Sequence, residues 1–181
     1  MIDLYFKIGK YYENNNKIKN KIIEIGAMNY NYISKDLFMN DNIEYTQIEP
    51  DSYDPNTKEK YIFNCNKLLK CYVNDLITKH SELKNYYSLV LDYILCHPPI
   101  SGSWSDEKNN KYVKNILYIL DNDGILIIKK LPISNFNLNK FIYPYFTLIN
   151  FLDYNKELLV KRTDTGRILD FTKKDQSEWY F

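Results

Sequence analysis

Glycine is scarce in this chain, five in 181 residues. The phosphate-cradling GxGxxG pattern that seats a dinucleotide's pyrophosphate is absent, which argues against a nicotinamide dehydrogenase. Cysteine is scarce too: three residues, Cys65, Cys71 and Cys96, an odd number without framework spacing. That points away from a disulfide-stapled secreted scaffold and toward reduced thiols in an intracellular, cytoplasmic setting. Cys65, Cys71 and His80 fit no compact zinc pattern and lack a fourth ligand, so no structural metal is expected. No apolar run approaches the roughly 20 residues needed to cross a bilayer, and the first residues, with Asp3, Lys7 and Lys10 among them, form no signal-peptide core; a soluble protein without a membrane partner is expected. Charge of one sign is also missing. A net +1 gives no global case for a polyanion partner, although Lys156, Lys161, Arg162, Arg167, Lys173 and Lys174 make the 154–174 stretch locally basic.

What is present is aromatic and aliphatic residue in alternating blocks. Hydrophobic residues make up 45% of the chain, and a single domain over 1–181 is long enough to bury about two-thirds of its unfolded surface. Residues 1–20 read as an N-terminal helix and a polar linker within that domain. The eighteen tyrosines can stack on bases, but several lie in apolar segments and suit packing.

Periodicity orders the elements. Lys21 to Gly26 is a short buried strand, 30–39 a helix, 42–49 a strand stopped by Pro50, and 61–63 a third strand. The spacing of Leu68, Leu69, Tyr72, Val73, Leu76 and Ile77 predicts a helix over 65–79. A strand ending at Cys96 runs into His97-Pro98-Pro99, with a start left open because 87–91 is apolar as well. Residues 109–120 are helical, stopped by Asp121-Asn-Asp-Gly124, and 125–128 is the clearest buried strand. A helical stretch over 141–151 is followed by Glu157–Val160 and Arg167–Phe171, a hairpin around Thr163-Asp-Thr-Gly166. The sum is an α/β fold: an open, mostly parallel sheet with helices on both faces and a C-terminal antiparallel hairpin.

In such sheets ligands bind beyond the carboxyl ends of the strands. At the first exit, Glu24-Ile-Gly26-Ala27 offers a tight turn, with Glu24 either organising it or receiving a cofactor amine. Glu49 closes the second strand 23 residues after Gly26, a spacing suited to a carboxylate on paired ribose hydroxyls. Asn64 and Cys65 follow the third strand, beside an adenine position. Cys96 and His97 stand at the fourth exit, His97 as a donor, a general base or a mere cap. Ser101 and Trp104 mark a hydroxyl-rich loop where Trp104 either stacks on a base or anchors the loop. Lys129 and Lys130 follow the fifth strand on opposite faces, and a lysine there stabilises developing oxygen charge.

Taken together, Glu24-Ile-Gly26, Glu49 and Asp92-Tyr-Ile-Leu-Cys-His-Pro-Pro99 resemble the first loop, ribose acid and fourth motif of the class I S-adenosylmethionine-dependent methyltransferases, which have a Rossmann-like fold. Gly124-Ile-Leu-Ile-Ile-Lys129 and Pro99-Ile-Ser-Gly102 are similar to segments of the FtsJ-like RNA ribose 2'-O-methyltransferases. That resemblance implies S-adenosylmethionine as cofactor, RNA as substrate, and a catalytic set of Lys129, Lys7 or Lys10, Asp170 for the family's glutamate and His97 where its aspartate stands. Histidine there carries no fixed negative charge, and the first loop has one glycine. The alternative expectation is therefore an inactive subunit of the same fold that binds RNA or a protein partner.

Overall fold

The computed structural model describes residues 21–26, 44–50, 65–95, 104–129, 135–153 and 156–161. Among them, seven strands form one sheet: β1 (Lys21–Ile25), β2 (Glu44–Ile48), β3 (Lys67–Leu69), β4 (Tyr87–Asp92), β5 (Leu120–Lys129), β6 (Phe146–Asp153) and β7 (Lys156–Lys161). The spatial order is β3-β2-β1-β4-β5-β7-β6. The first five strands are parallel, and β7 runs antiparallel between β5 and β6. The helices are α1 (Leu76–Lys79), entered through a 3-10 turn at Val73–Asp75, α2 (Asp106–Ile119) and α3 (Leu138–Phe141).

Period-2 alternation and register sort the strand residues onto two faces. Ile23, Ile25, Ile48, Leu69, Val90, Leu126, Ile128 and Leu159 share one face. They join Tyr112, Val113, Ile116 and Leu117 of α2 in one core cluster. Burying apolar side chains on this scale, at about 1.5–3 kcal/mol each, is what holds α2 on the sheet. The helix begins where Ser105 accepts a hydrogen bond from the Lys108 N–H at 3.3 Å, with Asp106 and Glu107 in the first turn facing the positive end of the dipole.

The other end of α2 has no glycine cap. Leu120 opens β5 with no residue between helix and strand, so the final carbonyls need partners from elsewhere. Asn85 and Tyr86 supply backbone N–H groups to Tyr118 and Ile119. The Lys161 ammonium donates to the carbonyls of Leu117 (2.8 Å) and Leu120 (2.6 Å). Lys161 is buried, and burial pushes its pKa down to about 8. Lys161→Met is expected to cost about 3 kcal/mol, since two buried carbonyls lose their donor; urea unfolding of both proteins measures it, and unchanged stability would refute the cap.

Several sequence expectations are corrected. The apolar run of the fourth strand is Tyr87–Asp92, and 93–95 are already a turn, so the strand does not extend to Cys96. The expected helix over 65–79 is instead β3 followed by two short helical turns; residues 67–69 pair with 46–48 of β2, and that ladder overrides the helical spacing. Asp121–Gly124 does not stop the chain but bulges within β5: the ladder passes from Tyr87↔Leu120 to Leu89↔Ile125, with Asp123 at φ 58°. The predicted helix over 141–151 is mostly β6, the helical part ending at Phe141 ahead of Pro144. The hairpin exists, but its strands are β6 and β7. Arg167–Phe171, expected as the partner of Glu157–Val160, lies outside the described residues.

Candidate cofactor and substrate site

Parallel register brings the strand exits level. Ile25 pairs with Ile48 on one side and Asp92 on the other, and Asp92 pairs with Ile128. Gly26, Glu49, Asp92 and Lys129 therefore stand along one carboxyl edge. Gly26 turns the chain at φ 76°, a left-handed conformation that side chains disfavour. Its missing Cβ is also used: an added Cβ would lie 2.3 Å from Ile94 Cγ1 and 2.7 Å from Ile94 Cδ1. The turn after β4 is fastened to β1 by the Tyr93 N–H donating to the Ile25 carbonyl at 3.2 Å.

On the face of the sheet opposite α2, Tyr45, Gln47 and Glu49 follow one another along β2, and Gln47 pairs with Glu24 of β1. The Tyr45 hydroxyl donates to Glu24 Oε2, and Gln47 Nε2 donates to the Tyr45 oxygen at 3.0 Å. The amide thus engages a lone pair of the phenol oxygen and leaves its one proton for the carboxylate. Asn66 holds Tyr45 in place, accepting from its N–H at 2.8 Å and donating to its carbonyl at 2.9 Å. Cys65 sits beside this strip. Burial pushes its thiol pKa up, the Gln47 N–H opposes that, and the Glu24 charge adds to it; the thiol form suits packing against a ring better than nucleophilic work.

Asp92 is the acid at the fourth exit. Its Oδ1 accepts from the N–H groups of Ile94 (2.8 Å) and Leu95 (2.9 Å), which shapes the turn. Burial raises its pKa from 3.8 to about 6, against the pull of those two N–H groups and of the Tyr112 hydroxyl. Sequence reasoning missed this residue's position because the exit was placed four residues later. The available signal was the run Tyr87-Ser-Leu-Val-Leu91, a strand-length segment that already ends in an acid.

Trp104 packs on the core cluster, its ring 5.3 Å from Tyr112, with the Lys108 ammonium 4.4 Å above it. Of the other sequence-derived site residues, Glu24, Gly26, Glu49, Cys65 and Lys129 lie on the described strands and their exits. Lys7, Ala27, Asn64, Cys96, His97, Ser101, Lys130 and Asp170 lie outside the described residues. Among the described residues no group of His, Cys, Asp and Glu is placed to hold a metal ion, and no helix is long and apolar enough to cross a membrane.

No protein-family profile matches the chain, and no curated protein is significantly similar to it in sequence. Solved structures are similar to it in fold. The Burkholderia thailandensis 1,6-didemethyltoxoflavin-N1-methyltransferase, solved with S-adenosylhomocysteine bound, superposes with a TM-score of 0.54 at 12% identity, over 90% of this chain and 79% of that one. The aminoglycoside resistance methyltransferase NpmB1 gives 0.53 at 10% identity, over 85% and 93% of the two chains. The antibiotic-resistance methyltransferase Kmr gives 0.50 at 10%, over 79% and 86%. The chain has the class I methyltransferase fold. At such identities the likeness is one of fold. Within the methyltransferase fold, the described residues fit S-adenosylmethionine in one respect: an acid at Glu49 level with the Gly26 turn.

Proposed function

We propose that the chain is an S-adenosylmethionine-dependent methyltransferase acting on RNA, with a ribose 2'-oxygen as acceptor. The observation that carries the reading is Glu49 standing one strand away from Gly26, both just past a paired Ile25 and Ile48, in a sheet of this order. A carboxylate so placed accepts both hydroxyls of a ribose. Glu24, Gly26 and Ala27 would hold the amino-acid end of the cofactor, with Asn64, Cys65 and Cys96 about the adenine. The cofactor, when bound, supplies a methyl carbon activated by a sulfonium.

The remaining work falls to the chain. Lys129, at the end of β5, holds positive charge where the acceptor oxygen loses its proton. His97, standing where the aspartate of the Lys-Asp-Lys-Glu set is expected, would take the acid's place beside that lysine or donate to the substrate, with Lys7 and Asp170 completing the set. Ser101 and Lys130 would grip RNA hydroxyls and phosphates beside the anchored Trp104. A protein partner that completes the site is compatible with this reading.

A second reading, an inactive subunit of the same fold that binds RNA or protein, is favoured by one specific feature: Ile94 lies against Gly26 where a ligand would approach. Isothermal calorimetry with S-adenosylmethionine and S-adenosylhomocysteine separates the two. Glu49→Gln is expected to weaken both affinities by about tenfold, the worth of a charge-assisted hydrogen bond pair. Lys129→Ala is expected to leave them unchanged while lowering methyl transfer to RNA. Equal affinity in wild type and Glu49→Gln would remove the ribose role, and no binding by folded wild type would favour the inactive subunit.

A further inference from the structure

Glycine at the first exit of this fold is ordinarily understood as room for a ligand. Here the room is filled from within. The Ile94 side chain occupies the space a Cβ on Gly26 would take, with Cγ1 at 2.3 Å and Cδ1 at 2.7 Å from that position. Ile94 is not loosely placed there: its own N–H and that of Leu95 bond to the buried Asp92 carboxylate, and the preceding Tyr93 N–H bonds to β1 at Ile25. Three hydrogen bonds thus set the turn that lays this one side chain over the crevice between β1 and β4. Ile94 is also partly buried against the core cluster.

We infer that Ile94 is the residue that sets how deeply an adenosyl sulfonium ligand seats between the first and fourth strand exits, and so sets its affinity and the size of group accepted over Gly26. This rests on the cofactor reading above. Its physical content is steric. A ligand approaching the Gly26 backbone must displace two carbons that already make van der Waals contact there, or seat farther out, where the Glu24 and Glu49 carboxylates reach it less well. Shortening the side chain removes the obstruction and leaves the Asp92 hydrogen bonds, which are made by backbone, in place.

The test is calorimetric titration of the full chain, as wild type, Ile94→Val and Ile94→Ala, with S-adenosylmethionine and S-adenosylhomocysteine, each variant first shown to be folded by circular dichroism and thermal melting. Ile94→Ala should bind about tenfold or more tightly than wild type, the scale on which forcing a few methylenes into filled space is penalised, with Ile94→Val between. Wild type that binds and an alanine variant that binds equally or more weakly would overturn the inference and leave the cofactor reading standing. Failure of all three folded proteins to bind would overturn the cofactor reading and this inference with it. The contact itself is checked without ligand: the melting-temperature loss caused by Gly26→Ala should shrink in the Ile94→Ala background, and an undiminished loss would overturn the packing on which the inference stands.

Discussion

Gly26→Ala should lower the stability of the protein by about 2 to 5 kcal/mol, a sum of two separable costs. One is local: at φ 76° an alanine sits in the left-handed region, at about 1–2 kcal/mol. The other is tertiary, because the new Cβ overlaps Ile94 Cγ1 at 2.3 Å and something must shift, at about 1–3 kcal/mol. Backbone on one side and a hydrogen-bonded turn on the other leave little freedom to relax. Urea unfolding gives the total, and Ile94→Ala should recover the packing part only. An alanine variant as stable as wild type would show that the turn at the first exit is soft, and the account of Gly26 as a dual constraint would fail.

Asp92→Asn should do the opposite at neutral pH. A carboxyl whose pKa rises from 3.8 unfolded to about 6 folded binds more protons in the folded state between those values. Its favourable contribution is fully present below 3.8 and is lost as pH rises through 6, so at pH 7.5 the protein carries an ionised, fully buried acid. The difference corresponds to about 3 kcal/mol. Asparagine keeps an oxygen for the Ile94 and Leu95 N–H groups and removes the charge, so the variant should be more stable than wild type by up to about that amount at pH 7.5 and nearly equal to it at pH 4. Chemical denaturation at the two pH values measures the pair. A variant that is less stable at pH 7.5 would mean that the carboxylate charge is structurally required. A stability gain would instead mark Asp92 as an acid kept at a cost, as functional groups are.

These two residues also show what was legible in the sequence. Gly26 and Glu49 were readable because strand, turn residue and spacing coincide, and the ladder Ile25↔Ile48 places them side by side. The helix that became α2 and the strand core 125–128 were readable because each carries a single unbroken period. The exit of the fourth strand was placed at Cys96 rather than at Asp92, since two apolar runs, 87–91 and 93–96, adjoin the acid. Only pairing with β1 and β5 decides between them, and pairing is not a local property. The same limit explains β3 and β6. Leu68, Leu69, Val73, Leu76 and Ile77 satisfy a helical template, yet Leu68 and Leu69, with Lys67, are worth more as a ladder on β2. Phe146 and Leu148 alternate with polar neighbours, a strand signal masked by the aromatic run before Pro144. Ile94 was not legible at all: nothing in the sequence announces that an isoleucine two residues past a strand will lie on a glycine from another strand.

The joint between α2 and β5 has a consequence for how the molecule loosens. With every carbonyl from Leu117 to Leu120 bonded and the Lys161 ammonium in the corner, the helix has its most protected amides where it meets the sheet. Its opposite end is fastened by the Ser105 cap, the Lys140–Asp106 ion pair and the Trp104–Tyr112 ring contact. Fraying therefore starts at Asp106 and travels inward, and the first contacts it releases are those beside Asp92. Hydrogen exchange along α2 is expected to be graded rather than uniform, faster near Asp106 and slower where the chain turns back into the sheet.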